Sequence, residues 1–328
     1  MRQTFRLGVI GTMVCDVIHA APPSEEFSEG WGGVTYALCG LDAALSDSWQ
    51  IVPIIKVGAD VSVDARQWVH QLRHIAPDHR LVEVPERNNR SELRYVSKNE
   101  RVERMSGGVP AWTWEEMRAE FETARIDALY VNFLSGWEVS LATMREIRAV
   151  FSGPIYVDLH MMLWHTSNDG TRTLRGLDDA QAWYACCDFI QVNEDEMRTL
   201  ANSAEALAID ATRAGALGIF VTRGALGVSY HVAEGFRALR DRDAVRHAHD
   251  RDVSRFASGA LLPSALEAHT HIDPTGCGDV WGGTMFSRLL AGDSLAVALT
   301  HANDAAGINA ISDGVKGLVE RIRSARAQ

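Results

Sequence analysis

The sequence predicts an α/β fold, a parallel sheet with crossover helices and a small β-strand excursion set against it. Three observations carry that reading. Short apolar runs at 5–10, 51–57, 128–132, 155–158, 189–192 and 219–222 alternate with longer segments of helical periodicity, the pattern of βα units. Between about 81 and 109 the texture changes to short strands with charges interleaved, which suits a small sheet with one wet face. Near the C-terminus, Asp273-Pro274-Thr275-Gly276-Cys277-Gly278-Asp279 runs into an apolar-periodic segment holding Val280, Met285, Phe286, Leu289 and Leu290. That is a tight loop feeding a helix.

In chain order, the strand at 5–10 is ended by Gly11. Asp16 then stands in a loop, where turn chemistry is its local reading. Gly32 and Gly33 offer a flexible entry to the helix that carries Tyr36. The run 51–57 is closed by Gly58-Ala59-Asp60, and Ser106-Gly107-Gly108-Val109-Pro110 ends the polar-strand excursion. Residues 112–116 open a helix whose first turn is acidic. A helix over 141–151 separates the strands at 128–132 and 155–158. His160 and His165 follow, five residues apart, as a metal pair or, by the local reading, as loop or core histidines. The next strand delivers Asn193-Glu194-Asp195-Glu196 to a helix start, where acids complement the dipole. After the strand at 219–222 comes Arg223-Gly224-Ala225-Leu226-Gly227, with Arg223 either facing phosphates or solvated. The stretch 237–255 is charge-dense. Asp241, Asp243, Asp250 and Asp252 balance its arginines, so it reads as a surface excursion. His269 and His271 alternate with apolar Ile272 and read as strand residues. The helix after Asp279 extends to about 291, and Gly292-Asp293-Ser294 begins another through Ile311.

The loop 276–279 carries the chemistry. Gly276 and Gly278 let another group approach the main chain closely. The first N–H groups of a helix lack internal partners and sit at the positive end of its dipole, so the loop is an anion cradle. Asp279 then has two readings: a helix cap, or a base that takes a proton from whatever attacks a bound phosphate.

The string D-P-T-G-C-G-D-V-W-G-G resembles the signature of the ribokinase-like (PfkB) carbohydrate and nucleoside kinases, usually D-T-x-G-A-G-D. Pro274 stands where Thr is common, and Cys277 replaces Ala while keeping a backbone donor. The segment 30–37 is similar to the family's G-G-x-x-x-N-x-A, with Tyr36 near the frequent Asn. Asn193 and Glu196 have the spacing of its N-x-x-E signature, and Thr222, Gly224 and Gly227 that of its V-T-x-G-x-x-G turn. The resemblance spans 11–314. It implies a three-layer α/β/α sheet in a single domain over 1–328, with lid segments near 12–30 and 82–110. It implies ATP-dependent phosphorylation of a hydroxyl on a sugar or sugar-like molecule, with Asp279 as base. The N–H groups of Gly276, Cys277 and Gly278 would stabilise the transferring charge. Asp16, Gly32, Gly33 and Tyr36 would hold the acceptor. Asn193, Glu196, Thr222, Gly224, Gly227 and Asn303 would lie at the nucleotide, Glu196 reaching Mg²⁺ through water. Asp273 and Thr275 would hold K⁺. Two alternatives remain: a nucleoside kinase, with Tyr36 and Trp31 stacking on a base, and a non-catalytic sugar or nucleotide sensor. Exposed lid strands would allow a homodimer.

Other classes are excluded. The only lysines, Lys56, Lys98 and Lys316, fit no Walker loop, and Trp281 occupies the last glycine place of a dinucleotide fingerprint. A net charge of −11 argues against nucleic acid or an anionic membrane as partner. Five cysteines without C-x-x-C spacing suggest neither a disulfide framework nor zinc, and Cys186 and Cys187 read as core thiols. No signal peptide or long apolar run is seen, so a cytoplasmic location is expected.

Overall fold

The computed structural model describes residues 4–19, 22, 26–96, 101–246, 257–261 and 272–326. β1 (Phe5–Ile10), β2 (Met13–His19) and β3 (Phe27–Gly33) precede α1 (Val34–Ala44). Next come β4 (Trp49–Ile54), β5 (Lys56–Gly58), α2 (Ser62–Val69), β6 (Val82–Val84), β7 (Arg90–Tyr95) and β8 (Arg101–Ser106). Alternation then sets in with α3 (Trp114–Ala124), β9 (Ala128–Asn132), α4 (Leu141–Val150), β10 (Ile155–Asp158) and the hairpin β11 (Trp164–Thr166) and β12 (Arg172–Leu174). It continues through α5 (Ala180–Ala185), β13 (Phe189–Asn193), α6 (Glu194–Leu200), α7 (Ala204–Ala214), β14 (Gly218–Thr222), β15 (Val228–Val232), α8 (Arg242–Arg246) and β16 (Ala257–Leu261). Three helices close the described chain: α9 (Cys277–Leu290), α10 (Leu295–Ala310) and α11 (Leu318–Arg326).

The main sheet has eight strands in the order β16-β15-β14-β13-β10-β9-β1-β4. From β14 to β4 every pairing is parallel, and β15 and β16 add antiparallel strands at one edge. A parallel sheet needs cover on both faces, and two cores supply it. Leu38, Leu41, Met285, Leu289 and Leu299 bring α1, α9 and α10 onto one face. Met117, Met144, Ile147, Trp183 and Leu207 bring α3, α4, α5 and α7 onto the other. This is the three-layer arrangement expected from the sequence. The closest helix contact lies between α1 and α9. A Cβ on Gly283 would sit 2.5 Å from the Ala37 carbonyl oxygen, and one on Gly40 2.5 Å from that of Val280.

The lid is a separate four-stranded sheet, β3-β2-β7-β8. Asp16, expected in a loop, lies within β2, where its neighbours pair with β3 on one side and β7 on the other. Val82–Val84 does not join the lid; it pairs with β5. The start of the charge-dense stretch at 237 is also not a plain surface excursion. Arg242 is buried, and with Arg148 and Arg246 it surrounds the fully buried Asp188 at 3.0–3.2 Å. A charge this deep is tolerable only when paired. Cys186 and Cys187 are buried, as the sequence suggested, while His269 and His271 lie outside the described residues.

Candidate active site

Open α/β sheets bind ligands beyond the C-terminal ends of their strands. Here four adjacent strands, β9, β10, β13 and β14, end in Asn132, Asp158, Asn193 and Thr222, so each places a polar residue on that edge. The start of α9 meets the same edge. Gly276 caps it at φ 72°, in the left-handed region, and a Cβ there would lie 2.2 Å from the Tyr36 ring, so the position requires glycine twice over. Among the described residues the N–H groups of Gly276 and Gly278 have no backbone partner, whereas that of Cys277 donates to the Pro274 carbonyl at 3.1 Å. The cradle therefore rests on the two glycines, and Cys277, expected to contribute a donor, does not. Its thiol, pushed up to about 11 by burial, donates to the Ala306 carbonyl.

Asp279 stands in the first turn of α9, where its Oδ1 accepts from Asn132 Nδ2 at 3.0 Å. Behind it, Asp158 Oδ2 accepts from Gln191 Nε2 at 3.0 Å; that same amide nitrogen donates to the Gly278 carbonyl, and Tyr156 Oη donates to Gln191 Oε1 at 2.7 Å. Burial raises the Asp279 carboxyl above its ordinary value, against the pull of His160 and the Asn132 hydrogen bond. Burial also raises the Asp158 carboxyl well above its ordinary value, only partly relieved by His160.

Glu196 caps α6 reciprocally with Asn193: Asn193 N–H donates to Glu196 Oε2 at 2.8 Å, and Glu196 N–H to Asn193 Oδ1 at 2.9 Å. Its other oxygen, Oε1, meets His160 Nδ1 at 2.7 Å. Burial works against a charged imidazole, but Glu196, Asp158 and Asp279 outweigh it and raise His160 to about 10. With both oxygens engaged and the side chain 1% exposed, Glu196 offers no open oxygen to a hydrated cation. No group of three or more metal-ligating side chains occurs among the described residues. The residues present do not fit the Mg²⁺ role expected for Glu196. Potassium is different. Thr275 Oγ1 and Asn309 Oδ1 are buried without partners, beside Asp273, whose Oδ1 accepts from Thr275 N–H at 2.9 Å. Orphaned oxygens next to a carboxylate fit a monovalent cation.

Asp158, His160, Gln191, Asn193, Glu196, Thr275 and Gly276 to Asp279 line one cleft of about 450 Å³. One end is floored by small residues, Gly224, Gly227, Ala306 and Gly307, with Asn303 beneath them accepting from Trp281 Nε1. The other lies under the lid, whose inner face follows from the period of two along a strand: Val14 and Asp16, Ser91 and Leu93, Glu103 and Met105. Asp16 leans over Gly32, where a Cβ would fall 1.8 Å from its carboxylate.

The pfkB family of carbohydrate kinases matches residues 169–320. The fold is similar across its whole length to ribokinase from Thermotoga maritima (15% identity, TM-score 0.70, 99% of this chain and 100% of that one). It is similar also to ribokinase from Giardia lamblia (14%, 0.70, 99% and 99%) and to a Burkholderia thailandensis nucleoside kinase in complex with inosine (15%, 0.65, 98% and 98%). The fold is ribokinase-like, and the PfkB family match covers the C-terminal part of the chain. At these identities the structural likeness is one of fold, and no match was found among curated proteins.

The residues expected at the site come together along the one cleft: Asp16, Gly33, Tyr36, Gly276 to Asp279, Asn193, Glu196, Thr222, Gly224, Gly227 and Asn303. Gly32 lies beneath Asp16. Tyr36 is pressed against Gly276, which leaves that face no room to stack on a base, and Trp31 does not line the cleft. Sequence reasoning missed Asn132, Gln191, Glu103 and Arg172, and gave His160 a bland role. The signal was present for Asn132 and Gln191, polar residues inside or ending otherwise apolar strands. For Glu103 and Arg172 only the folded lid reveals it.

Proposed function

We propose that this protein transfers the terminal phosphoryl group of ATP to a hydroxyl of a sugar or sugar-like molecule. The observation that carries this reading is the position of Asp279, between a glycine-amide cradle and the lidded half of one continuous cleft. An acceptor hydroxyl beside Asp279 attacks the terminal phosphorus, an O–P bond forms, the bond to the β-phosphate oxygen breaks, and ADP leaves. Asp279 takes the hydroxyl proton, and its raised affinity for protons suits that task. The amides of Gly276 and Gly278 and the start of α9 meet the charge on the transferring group. Small residues at the far end leave room for a nucleotide, and a ribokinase of similar fold from Cryptococcus neoformans is known in complex with ADP.

The apolar wall of Val14, Leu93, Met105, Leu134 and Met161 favours an acceptor with one apolar face, a nucleoside included. Acceptor-dependent ADP formation with a mixed panel of sugars, polyols and nucleosides is the expected result. Tight nucleotide binding without turnover of any member would instead indicate a sensor.

A further inference from the structure

We propose that His160, held by Glu196, takes the place on the donor's phosphates that a cation on Glu196 would otherwise fill. Glu196 is then a positioning residue, and His160 is the side chain that touches the donor. The proposal rests on assigning the end of the cleft floored by Gly224, Gly227, Ala306 and Gly307 to the donor. His160 opens the short turn after β10 at φ 20°, backbone that a residue with a side chain seldom adopts. Among the described non-glycine residues only Arg125 and Asp179 share a positive φ, and neither lines the cleft. A strained position persists only where its surroundings hold it. Glu196 does so: Oε1 meets His160 Nδ1 at 2.7 Å, while Oε2 accepts from the Asn193 N–H. Beside a carboxylate Nδ1 is a donor, which leaves Nε2 for a ligand. No described residue bonds to Nε2, and the side chain is 30% exposed where it lines the cleft.

A polyphosphate brings several negative charges into a cleft whose described lining holds five acidic residues and two basic ones, His160 and Arg172. Arg172 is engaged elsewhere. It pairs with Glu103 of the lid at 2.9 Å and donates to the Leu134 and Ser135 carbonyls at 3.3 Å each. His160 is the basic side chain beside the base: it pulls the Asp279 carboxyl down against burial, and Asp279 and Asp158 in turn favour the ring carrying both protons. In that form Nε2–H donates to a phosphate oxygen as a charge-assisted hydrogen bond, the strong kind. Glu196, with neither oxygen open, acts through the ring.

The test is calorimetry on the full chain with ADP and with adenosine, each in magnesium and in excess EDTA. The proteins are the wild type, His160→Gln, Glu196→Gln and the double variant. Glu196→Gln keeps the α6 cap, and retained adenosine affinity shows that the nucleotide end is intact. His160→Gln should weaken ADP about 10–100-fold, the scale of a hydrogen bond to a charged group. The loss should be equal in magnesium and in EDTA and absent for adenosine. Glu196→Gln should weaken ADP less, and adding it to His160→Gln should cost nothing further, because its effect runs through the ring. A loss by Glu196→Gln confined to magnesium would return the cation to Glu196 and overturn the proposal. So would unchanged ADP affinity in His160→Gln, or parallel losses of ADP and adenosine, and these leave the kinase reading intact. The expected ADP losses without turnover of any acceptor would support the His160 contact and defeat the kinase reading. Failure of ADP to bind the wild type in either condition would overturn both.

Discussion

Around Asp279 three carboxyl groups, Asp279, Asp158 and Glu196, converge on one imidazole, His160. The sign of the resulting pH dependence follows from the raised His160. Its folded value is about 10 against an ordinary 6.5, so its contribution to stability is complete below 6.5 and is lost as pH rises towards 10. The wild type should therefore lose more melting temperature between pH 6.5 and 10 than His160→Gln does. Parallel curves would show that the Glu196 contact adds nothing. Catalysis should respond at the opposite end. Asp279 works unprotonated and its carboxyl is raised by burial, so activity should fall on the acid side at a pH above the ordinary carboxylate range. At Thr275 and Asn309, two orphaned buried oxygens beside Asp273 lead us to propose a potassium site. Potassium should raise the melting temperature relative to tetramethylammonium at equal ionic strength, and equal melting would remove the site.

At the scale of elements, α9 does two things at once: its start forms the cradle, and its middle packs on α1 through glycines. The Gly282-Gly283 pair reads in sequence as part of a signature, yet in the fold Gly283 lets the two backbones approach. Gly283→Val should cost about 1–3 kcal/mol through overpacking, seen as a melting temperature lower by several degrees. A change within error would show that the helices can shift. The parallel strands were legible because burial on both faces writes continuous apolar runs: 5–10, 128–132 and 155–158 come out residue for residue. The lid was legible only in texture. Its pairs join residues as far apart as Asp16 and Ser91, and no local pattern encodes a partner 75 positions away. For the same reason a local reading puts Asp16 in a loop and Arg242 on the surface, whereas Arg242 is buried against Asp188 across 54 residues. Motif residues were found at the site because their backbone demands, glycine above all, are local. Their supports, Asn132, Gln191 and His160, are set by neighbouring strands.

Over the whole molecule, a three-layer body holds the α9 loop and Asp279 while a separate sheet lines part of the same cleft. That sheet has an open edge. Residues 27–30 of β3 are exposed, with Phe27 64% accessible, and among the described residues the outer edge of β3 pairs with no strand, which makes it a template for another chain. We propose that two chains pair through it. Light scattering should give a dimer for the wild type and a monomer for Phe27→Lys combined with Ser28→Pro; equal masses would reject the pairing. The central claim is that the sheet edge, the α9 loop and the lid meet so that Asp279 can act as a base. The most direct measurement is kcat of Asp279→Asn alongside its ADP affinity and melting temperature, with the acceptor found in the panel. Asn caps helices about as well as Asp and leaves the Gly276 and Gly278 amides in place, so affinity and stability should be nearly unchanged. Loss of the proton acceptor should lower kcat by about 10²–10⁴-fold. Near-normal turnover would contradict the account, because Asp279 would then be a cap and nothing more.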